Sequence, residues 1–437
     1  MASSEKKPVR VALLGCGTVG GGVLRLLQDN RDTLPRRVGA RLEVAHVLVR
    51  DRTRTRVPEC RGEWVTTDPE VVFADDTVDI IVEVMGGENP ARQYIERAID
   101  AGKSVVSANK YLLATHGPAL LERAARRGVD LGFEASVGGG IPVIRTLREA
   151  LTGDSVVSVH GILNGTCNYI LTRMKKAGLA FDDALREAQE LGYAEADPTL
   201  DVEGFDAAQK LVVTSMLAFG ASVPVSDVSV EGITRVDALD FAAAERFGYT
   251  IKHLAIGREL GSELSLHVHP TLVPKASVIA NIDDVLNCVF IRGRGLGPCL
   301  LVGRGAGDMP TAVSVVSDIV DVARSKLEGE AGLTTRAIHA VPRKVQPLEE
   351  LSCRYYLRFD VGDTPGVLGV IASALGAQGV SIEQMVQEGT AGSNDLAVSV
   401  LMITHETQEG HVLRALDAIG RESFLRGKPR FIRIEDI

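Results

Sequence analysis

The N-terminal third of the chain alternates short apolar runs with segments whose apolar residues recur at helical spacing. The apolar runs predict strands that are buried on both faces, as in a parallel sheet, at residues 9–15, 42–49, 78–85 and 104–108. The helical spacing predicts helices at residues 18–34, 91–101 and 112–127. Regular alternation of this kind indicates an α/β, doubly wound domain with right-handed crossovers over residues 1–135.

After residue 130 this regular rhythm stops. One further strand is predicted at 130–136, and strands and helices then follow one another irregularly, which favours an α+β domain over residues 136–328. Its clearest helices are predicted at 206–219 and 310–327. We expect the segment 303–328 to pack back on the first domain.

The C-terminal part begins with a charged stretch that contains two prolines and has weak periodicity, so residues 329–352 are predicted to form a linker. Residues 353–437 then predict a small βαββαβ domain. Its better defined elements are strands at 355–361 and 396–403 and helices at 367–377 and 410–419.

Composition narrows the classes of function. The chain has 437 residues and a net charge of -9, which argues against a nucleic-acid-binding surface. Its six cysteines are scattered and form no C-x-x-C pair, so neither a disulfide framework nor a zinc site is expected. The N-terminus has no apolar stretch of a signal peptide, and no run of about 18 apolar residues predicts a membrane span. We therefore expect a cytoplasmic protein.

A G-x-G-x-x-G motif follows the first predicted strand and opens the first predicted helix. Gly15 permits the tight turn, Gly17 allows close approach of a pyrophosphate, and Gly20 allows the helix to pack against the strand. The phosphates would lie on the helix N-terminus, at Thr18 and Val19. In this context the motif predicts a nicotinamide dinucleotide site, whereas alone it would indicate only a tight turn.

The end of the second strand bears on the choice of cofactor. An acidic residue there binds the ribose 2′-hydroxyl, whereas an arginine accommodates a 2′-phosphate. The first residue after the strand is Arg50, which favours NADP, but the neighbouring Asp51 keeps NAD open. A solvated charged loop is the third interpretation.

Two candidate catalytic groups stand far apart in the chain. The fourth strand ends in Ser107-Ala108-Asn109-Lys110, at the sheet edge where ligands bind in open α/β folds. Asp206 and Lys210 are four residues apart and share one helix face. On spacing alone, the favoured interpretation of that pair is an exposed ion pair.

Longer strings give a more specific indication. ILNGTCNYIL at 162–171 and EAQELGYAEADPTLDVEGFDAAQKL at 187–211 closely resemble the substrate domain of homoserine dehydrogenases. SANK at 107, FEASVGGGIP at 133 and GRGAGDMPTA at 303 match the same family, and the resemblance spans residues 8 to 330. The family interconverts L-aspartate 4-semialdehyde and L-homoserine with NAD(P)H, on the route to threonine, methionine and isoleucine.

The resemblance implies roles for individual residues. Lys210 matches the proton donor to the carbonyl oxygen, and Lys110 the lysine beside nicotinamide and substrate. The residues implied in substrate binding are Gly192, Glu195, Asp201 and Asp206, with Asp206 also counted as catalytic. Ser107 is assigned to the cofactor, and Gly307 matches a glycine that closes on it. A sodium or potassium site, built largely from main-chain carbonyls, is implied at Glu134, Val137, Gly139 and Ile141.

The C-terminal unit resembles an ACT domain through DVGDTPGVL at 360–368 and GVSI at 379–382. Such domains commonly bind amino acids at this loop, often between paired copies. The implied effector is L-threonine, and the implied contacts are Asp363, Gly366, Val367 and Leu368. An oligomerisation module without a ligand is the alternative. Pairing across subunits implies a homodimer or homotetramer.

Two alternative functions make different demands on these residues. A dehydrogenase of 2-oxo or 2-hydroxy acids would present a His or Arg electrophile, whereas the matched loop offers acids and lysines. A dinucleotide-binding sensor without catalysis would lack the set formed by Glu195, Asp206 and Lys210, and that set is intact. The intact set favours an enzyme, and the resemblance implies that it acts on L-homoserine and L-aspartate 4-semialdehyde.

Overall fold

The computed structural model describes residues 7–332, 335, 338–389 and 397–437. The chain forms two compact units, and each is assembled from three separate segments. Unit 1 comprises residues 1–165, 206–228 and 285–343, and unit 2 comprises residues 166–205, 229–284 and 344–437. The contiguous domain boundaries expected from the sequence stay a prediction. Among the described residues, no helix combines the length and apolar character that a membrane crossing needs.

Unit 1 contains a six-stranded parallel sheet in the order β3-β2-β1-β4-β5-β6. Elements are numbered in chain order, and these strands are β1 (Val9–Leu14), β2 (Leu42–Leu48), β3 (Val65–Thr66), β4 (Ile80–Glu83), β5 (Ser104–Ser107) and β6 (Leu131–Gly132). The predicted doubly wound sheet is thereby confirmed. Strand order reverses between β1 and β4, which is where open α/β sheets bind ligands at their carboxyl edge.

Unit 1 also contains eight α-helices among its described residues. They are α1 (Thr18–Asp29), α2 (Leu34–Val38), α3 (Pro69–Phe73), α4 (Ala91–Asp100), α5 (Lys110–Arg127), α6 (Val143–Arg145), α10 (Phe205–Ala218) and α12 (Asp308–Glu328). α12 packs against α1, and its Val315 and Ile319 share a core with Val11 and Leu13 of β1. A late segment of the chain therefore completes the core of the first sheet.

Unit 1 also holds a small antiparallel group and one short strand pair. The strands are β7 (Val156–Ile162), β8 (Ala221–Ser222), β12 (Leu286–Gly293), β13 (Gly297–Arg304) and β14 (Val341–Pro342). β12 pairs antiparallel with both β7 and β13, and β14 pairs parallel with β8. β7 runs directly toward Leu163 and Asn164, which reappear at the candidate site.

Unit 2 combines helices with a mixed sheet in the order β10-β11-β20-β16-β18-β17. Its strands are β9 (Ser229–Val230), β10 (Tyr249–Leu260), β11 (Glu263–Pro274), β15 (Lys344–Val345), β16 (Ser352–Gly362), β17 (Ile382–Gly389), β18 (Ala397–Thr404), β19 (Thr407–Gln408) and β20 (Arg430–Ile434). Its helices are α7 (Gly165–Ala177), α8 (Phe181–Glu190), α9 (Thr199–Val202), α11 (Ala238–Arg246), α13 (Val367–Ala377) and α14 (Glu409–Ile419).

The predicted βαββαβ order of the C-terminal part is confirmed by β16, α13, β17, β18, α14 and β20. Its core joins Tyr355 and Phe359 of β16 to Ile371 of α13 and Val412 of α14. The observed α13 has the bounds that the sequence predicted. Residue 396, where one strand was predicted to begin, lies outside the described residues, as do four residues of the predicted linker, 333, 334, 336 and 337.

Three predicted elements were wrong in extent, and one of them is the strand predicted over 78–85, which is limited to Ile80–Glu83. The helix predicted over 18–34 ends at Asp29, because the Asn30 side chain bonds back to the Leu26 carbonyl and a separate short helix, α2, follows. The strand predicted over 130–136 is reduced to the two residues of β6. A 3₁₀ turn follows at Glu134–Ser136, where the Glu134 amide donates to Asp318 instead of to a neighbouring strand.

Candidate active site

The glycine motif forms the turn between β1 and α1. Gly15 has φ +103°, a conformation that glycine adopts without strain, and its amide donates to the Leu48 carbonyl at 2.9 Å. A Cβ at Gly20 would overlap the main-chain oxygen of Gly15, whereas a Cβ at Gly17 would meet nothing within 4 Å. Gly17 precedes the first turn of α1, formed by Thr18 and Val19. The cradle therefore has the open space and the free helix N-terminus that a pyrophosphate requires.

The loop after β2 presents positive charge beside this turn. Arg50 is exposed, and the Asp51 carboxylate accepts hydrogen bonds from the Thr53 hydroxyl at 2.7 Å and the Thr53 amide at 2.8 Å. These bonds hold the pKa of Asp51 below its usual value. A hollow of about 320 Å³ lies in the same loop and is lined by Arg52, Arg54, Arg56 and Arg61, among others. The local electrostatics favour an anionic group over a neutral one.

The fourth-strand motif places Lys110 at the start of α5. The Asn109 side chain caps this helix by accepting from the Leu112 amide at 3.2 Å. Ser107, predicted to bind the cofactor, is fully buried, and its hydroxyl donates to Glu83 at 2.7 Å. Lys110 keeps part of its side chain exposed and points its ammonium group toward Asp206.

Asp206 joins the two predicted catalytic lysines. Its Oδ1 lies 3.0 Å from Lys110 Nζ, and its Oδ2 lies 2.7 Å from Lys210 Nζ. Lys210 also donates to the Leu163 carbonyl at 2.6 Å, and the Asn164 amide donates to Asp206 at 2.9 Å. The structure thus brings together residues from the segment after β7, from α5 and from α10 in one cluster.

This cluster is buried, so the interpretation of an exposed helix pair was wrong. Asp206 is 5% exposed and Lys210 is 8% exposed. Burial alone would raise the pKa of Asp206, but the ammonium groups of Lys210 and Lys110 outweigh it and hold that pKa well below its usual range. Asp206 therefore stays ionised, and it holds Lys210 through a charge-assisted hydrogen bond and Lys110 through an ion pair.

The other predicted substrate residues lie in unit 2. Gly192 has φ +74° and closes α8, and the Glu195 main-chain oxygen accepts from the Gln189 side chain at 3.1 Å. The Glu195 side chain is exposed. Asp201 lies in α9, and its main-chain oxygen accepts from the thiol of Cys167 in α7 at 3.1 Å. The part these three residues play in substrate binding stays a prediction.

Gly307 directly precedes α12, and two of the predicted cation residues, Glu134 and Gly139, form hydrogen bonds with residues of that helix. Gly307 has φ +118°. The Gly139 carbonyl accepts from the Ser314 hydroxyl at 2.7 Å, and the Glu134 carbonyl accepts from the Val137 amide at 3.4 Å. The Glu134 carboxylate accepts two further amides, at Ile144 and Arg145. Ile141, the fourth predicted ligand, is buried beside Gly303.

Burial also raises the pKa of Glu134, against the effect of its hydrogen bonds. Asp318 of α12 lies next to it and accepts from the Glu134 amide at 2.8 Å. Sequence reasoning missed Asp318, because a single acid inside a helix gives no sign of being buried. It also missed Asn164, which the ILNGT string contained, and Glu83, a charged residue at the end of an apolar run.

The predicted effector residues line one hollow in unit 2. Asp363, Gly366, Val367 and Leu368 surround a cavity of about 390 Å³ together with residues of β17 and β18. Gly366 has φ +94° and precedes α13, so the loop turns sharply into the helix. The cavity is large enough for a free amino acid.

The chain is similar to known proteins of one family. Residues 15–134 match the family model for the homoserine dehydrogenase NAD-binding domain, and residues 142–320 match that for homoserine dehydrogenase. The chain is 40% identical over 438 residues to a homoserine dehydrogenase of Neisseria gonorrhoeae, covering 99% of each chain. The chain belongs to the homoserine dehydrogenase family. Like other homoserine dehydrogenases, it is an NAD(P)-dependent oxidoreductase that acts on a CH–OH group.

Further relatives agree with the assignment to homoserine dehydrogenases. A homoserine dehydrogenase of Synechocystis is 41% identical and covers 98% of this chain and 99% of its own. The crystal structure of a homoserine dehydrogenase from Thiobacillus denitrificans has a TM-score of 0.92 at 41% identity, covering 98% of this chain and 99% of its own. A hyperthermophilic archaeal homoserine dehydrogenase in complex with NADPH has a TM-score of 0.63 at 25% identity, covering 74% of this chain and 98% of its own.

The C-terminal unit also matches a known family. Residues 355–421 match the ACT domain model, which confirms the resemblance inferred from the loop before α13. The fold predicted from the sequence, a Rossmann domain with a central part and a C-terminal ACT domain, is confirmed as a whole.

Proposed function

We propose that this enzyme interconverts L-aspartate 4-semialdehyde and L-homoserine with a nicotinamide dinucleotide. The observation that carries the proposal is that the buried Asp206 and Lys210 meet Lys110 beside the carboxyl edge of a dinucleotide-binding sheet. When bound, the reduced nicotinamide supplies a hydride to the aldehyde carbon. Every other requirement of the reaction then concerns the aldehyde oxygen, which gains negative charge and a proton.

Lys210 is the group to which we assign that proton. An ammonium group has three N–H donors, and in this structure two of them point to Leu163 and Asp206. The third is available to the substrate oxygen. In the reverse direction the neutral amine would accept the proton of the homoserine hydroxyl.

Asp206 and Lys110 support this transfer. Asp206 holds Lys210 in one orientation and does not take up the proton, since its pKa lies well below its usual range. Lys110 is more exposed than Lys210 and faces the same carboxylate, so its charge can stabilise the developing oxyanion or the bound substrate. Gly192, Glu195 and Asp201 are assigned to substrate binding by the family resemblance.

The test of this function is an absorbance assay at the nicotinamide band on the purified protein. L-homoserine is supplied with NADP or NAD, and a 2-hydroxy acid serves as the control substrate. We expect turnover with L-homoserine and none with the 2-hydroxy acid. Binding of NADPH without turnover of L-homoserine would reject the proposal and favour a sensor.

The preferred cofactor is proposed to be NADP, with NAD as the alternative. Support comes from the exposed Arg50 at the end of β2 and from the arginine-lined hollow that follows it. Asp51 is already bound to Thr53, which makes it a poor partner for a ribose hydroxyl. Relative kcat/KM values for the two cofactors test the choice.

A sodium or potassium ion is proposed near Glu134, Val137, Gly139 and Ile141. The Glu134 and Gly139 main-chain oxygens each accept one described hydrogen bond, and each keeps a second lone pair for a cation. Oxygen donors of this kind suit a hard cation. Thermal unfolding in sodium, potassium and choline chloride at equal ionic strength tests this site, and equal midpoints would reject it.

We propose that L-threonine regulates the enzyme through the ACT domain, at the cavity lined by Asp363, Gly366, Val367 and Leu368. An oligomerisation module without a ligand is the alternative. Calorimetric titration with L-threonine, with D-threonine as control, separates the two. We further propose a cytoplasmic homodimer or homotetramer acting on the route to threonine, methionine and isoleucine; light scattering measures the oligomer.

A further inference from the structure

A fully buried carboxylate, Glu83, ends β4 at the centre of the parallel sheet. In the strand register it is opposite Leu14 at the end of β1 and Ser107 at the end of β5. It therefore stands between the strand that leads to the glycine turn and the strand that leads to Lys110. Burying a charge here costs free energy unless hydrogen bonds offset it.

Glu83 receives three hydrogen bonds, two from the loop after β4 and one from the end of β5. Its Oε1 accepts from the Met85 amide at 2.8 Å and the Gly86 amide at 3.2 Å, and its Oε2 accepts from the Ser107 hydroxyl at 2.7 Å. All three of these hydrogen-bond partners donate to Glu83, which matches an ionised carboxylate, since that group only accepts hydrogen bonds. Burial raises the pKa of Glu83, and these hydrogen bonds act against that rise.

From Ser107 the network continues to the start of α5. The Ser107 hydroxyl accepts from the Asn109 amide at 3.1 Å. The Asn109 side chain then donates to the Gly87 carbonyl at 2.7 Å, while its oxygen caps α5 at Leu112. The network therefore links the loop after β4 to the residue that immediately precedes Lys110.

The loop after β4 also contacts the cofactor turn. A Cβ at Gly15 would lie 3.0 Å from the Val84 carbonyl, so this loop limits the space around the glycine turn. Gly86 and Gly87 have φ of +72° and +73°, a backbone conformation that glycine favours, and the Gly86 amide bonds to the Glu83 carboxylate. The loop that the Glu83 carboxylate holds through Met85 and Gly86 therefore also borders the glycine turn.

We propose that Glu83 is a positioning residue for the reaction: it orients Lys110 through Ser107 and Asn109. The proposal rests on the proposed function, because it needs Lys110 to act on substrate or cofactor. Glu83 is fully buried, and we assign it no direct contact with substrate or cofactor. Displacing a group near the chemistry by about 1 Å can cost on the order of a hundredfold in rate, so a mispositioned Lys110 would be costly.

The experiment is a double-mutant cycle on kcat/KM with Glu83→Gln and Lys110→Ala. Glutamine keeps the size of the side chain but presents an NH₂ group to Ser107, which leaves the Ser107 proton without its acceptor. We expect E83Q to lower kcat/KM about 10- to 100-fold in the wild type but less than about twofold in K110A, since its effect passes through Lys110. Glu122→Gln, an exposed position on α5, is the matched control and should leave kcat/KM unchanged.

Equal fold-losses in both backgrounds would mean that Glu83 supports the fold generally, and would overturn the proposal. Ser107→Ala breaks the same relay without touching the carboxylate and should show the same coupling if E83Q folds poorly. Thermal unfolding of each variant identifies such a failure. A wild-type protein without homoserine turnover would reject the proposed function, whereas an active wild type with uncoupled variants would reject only the positioning role.

Discussion

Lys210 lies one helical turn after Asp206 on α10, and its Nζ is 2.7 Å from the Oδ2 of that carboxylate. Both side chains are buried, and Lys110 approaches the other oxygen of the same carboxylate at 3.0 Å. Two positive charges therefore share one negative charge, and the cluster keeps a net positive charge. Such a site is suited to an oxygen that becomes negative during the reaction.

Replacing Lys210 with Ala should lower kcat strongly, because it removes the proposed proton donor. General acid catalysis contributes about 10²- to 10⁴-fold, and we expect a loss in that range. NADPH affinity, measured by fluorescence titration, should change little. Lys176→Ala, at an exposed lysine on α7, is the control. Near-normal turnover in K210A would remove Lys210 from the mechanism.

Replacing Asp206 with Asn should destabilise the protein as well as inactivate it. The substitution leaves the buried Lys210 ammonium group without its carboxylate, and losing one partner of a buried pair costs about 3–5 kcal/mol. Urea denaturation measures the change in the free energy of unfolding. Asp417→Asn, which breaks an exposed pair with Arg421, should cost less than about 1 kcal/mol. Equal losses for the two variants would contradict the importance of burial.

The glycine motif allows a matched pair of variants. Gly20→Ala places a methyl group against the Gly15 carbonyl and should lower stability by about 1–3 kcal/mol. Gly17→Ala meets open space and should cost within about 1 kcal/mol. Because that space is where we place the pyrophosphate, G17A should nevertheless weaken NADPH binding at least tenfold. Unaltered NADPH affinity in G17A would argue that the cofactor lies elsewhere.

Replacing Arg50 with Asp should move the cofactor preference toward NAD. Loss of one charge-assisted hydrogen bond to a 2′-phosphate is worth on the order of tenfold in relative kcat/KM. Arg36→Asp, at an exposed arginine of α2, controls for the change in net charge. If the NADP to NAD ratio is the same in R50D and wild type, Arg50 does not select the cofactor.

Asp318 should make stability depend on pH. Burial raises the pKa of Asp318 from 3.8 to about 7. Between those values the unfolded chain releases the proton that the folded chain keeps, so this contribution is present at low pH, is lost as pH rises through 7, and stays absent above it. The change is of the order of a few kcal/mol. Asp318→Asn cannot titrate, so urea denaturation from pH 4 to 8 should show wild type losing stability relative to D318N. Parallel curves would show that the pKa is not raised.

Local patterns in the sequence were enough to predict most of the first sheet and the C-terminal unit. The strand ending at Leu14, the turn from Gly15 to Gly20 and the helix α13 each depend on a few neighbouring residues. Periodicity and glycines influence the backbone of nearby residues only. These elements could therefore be predicted directly from the local sequence. One error arose from a distant residue, because the Glu134 amide donates to Asp318 instead of to a neighbouring strand.

By itself, the sequence determined the order of elements and the glycine turn, and it predicted Lys110, Asp206 and Lys210 for the site. Only the tertiary structure decided that Lys110 and Lys210 meet at Asp206, that Asp206 and Lys210 are buried, and that Glu83 links the loop after β4 to the end of β5. Helical spacing shows which residues share a face, but it does not show what covers that face. Burial and long-range pairing depend on how separate elements pack, and they control whether a charged pair stays hydrated or becomes part of a site.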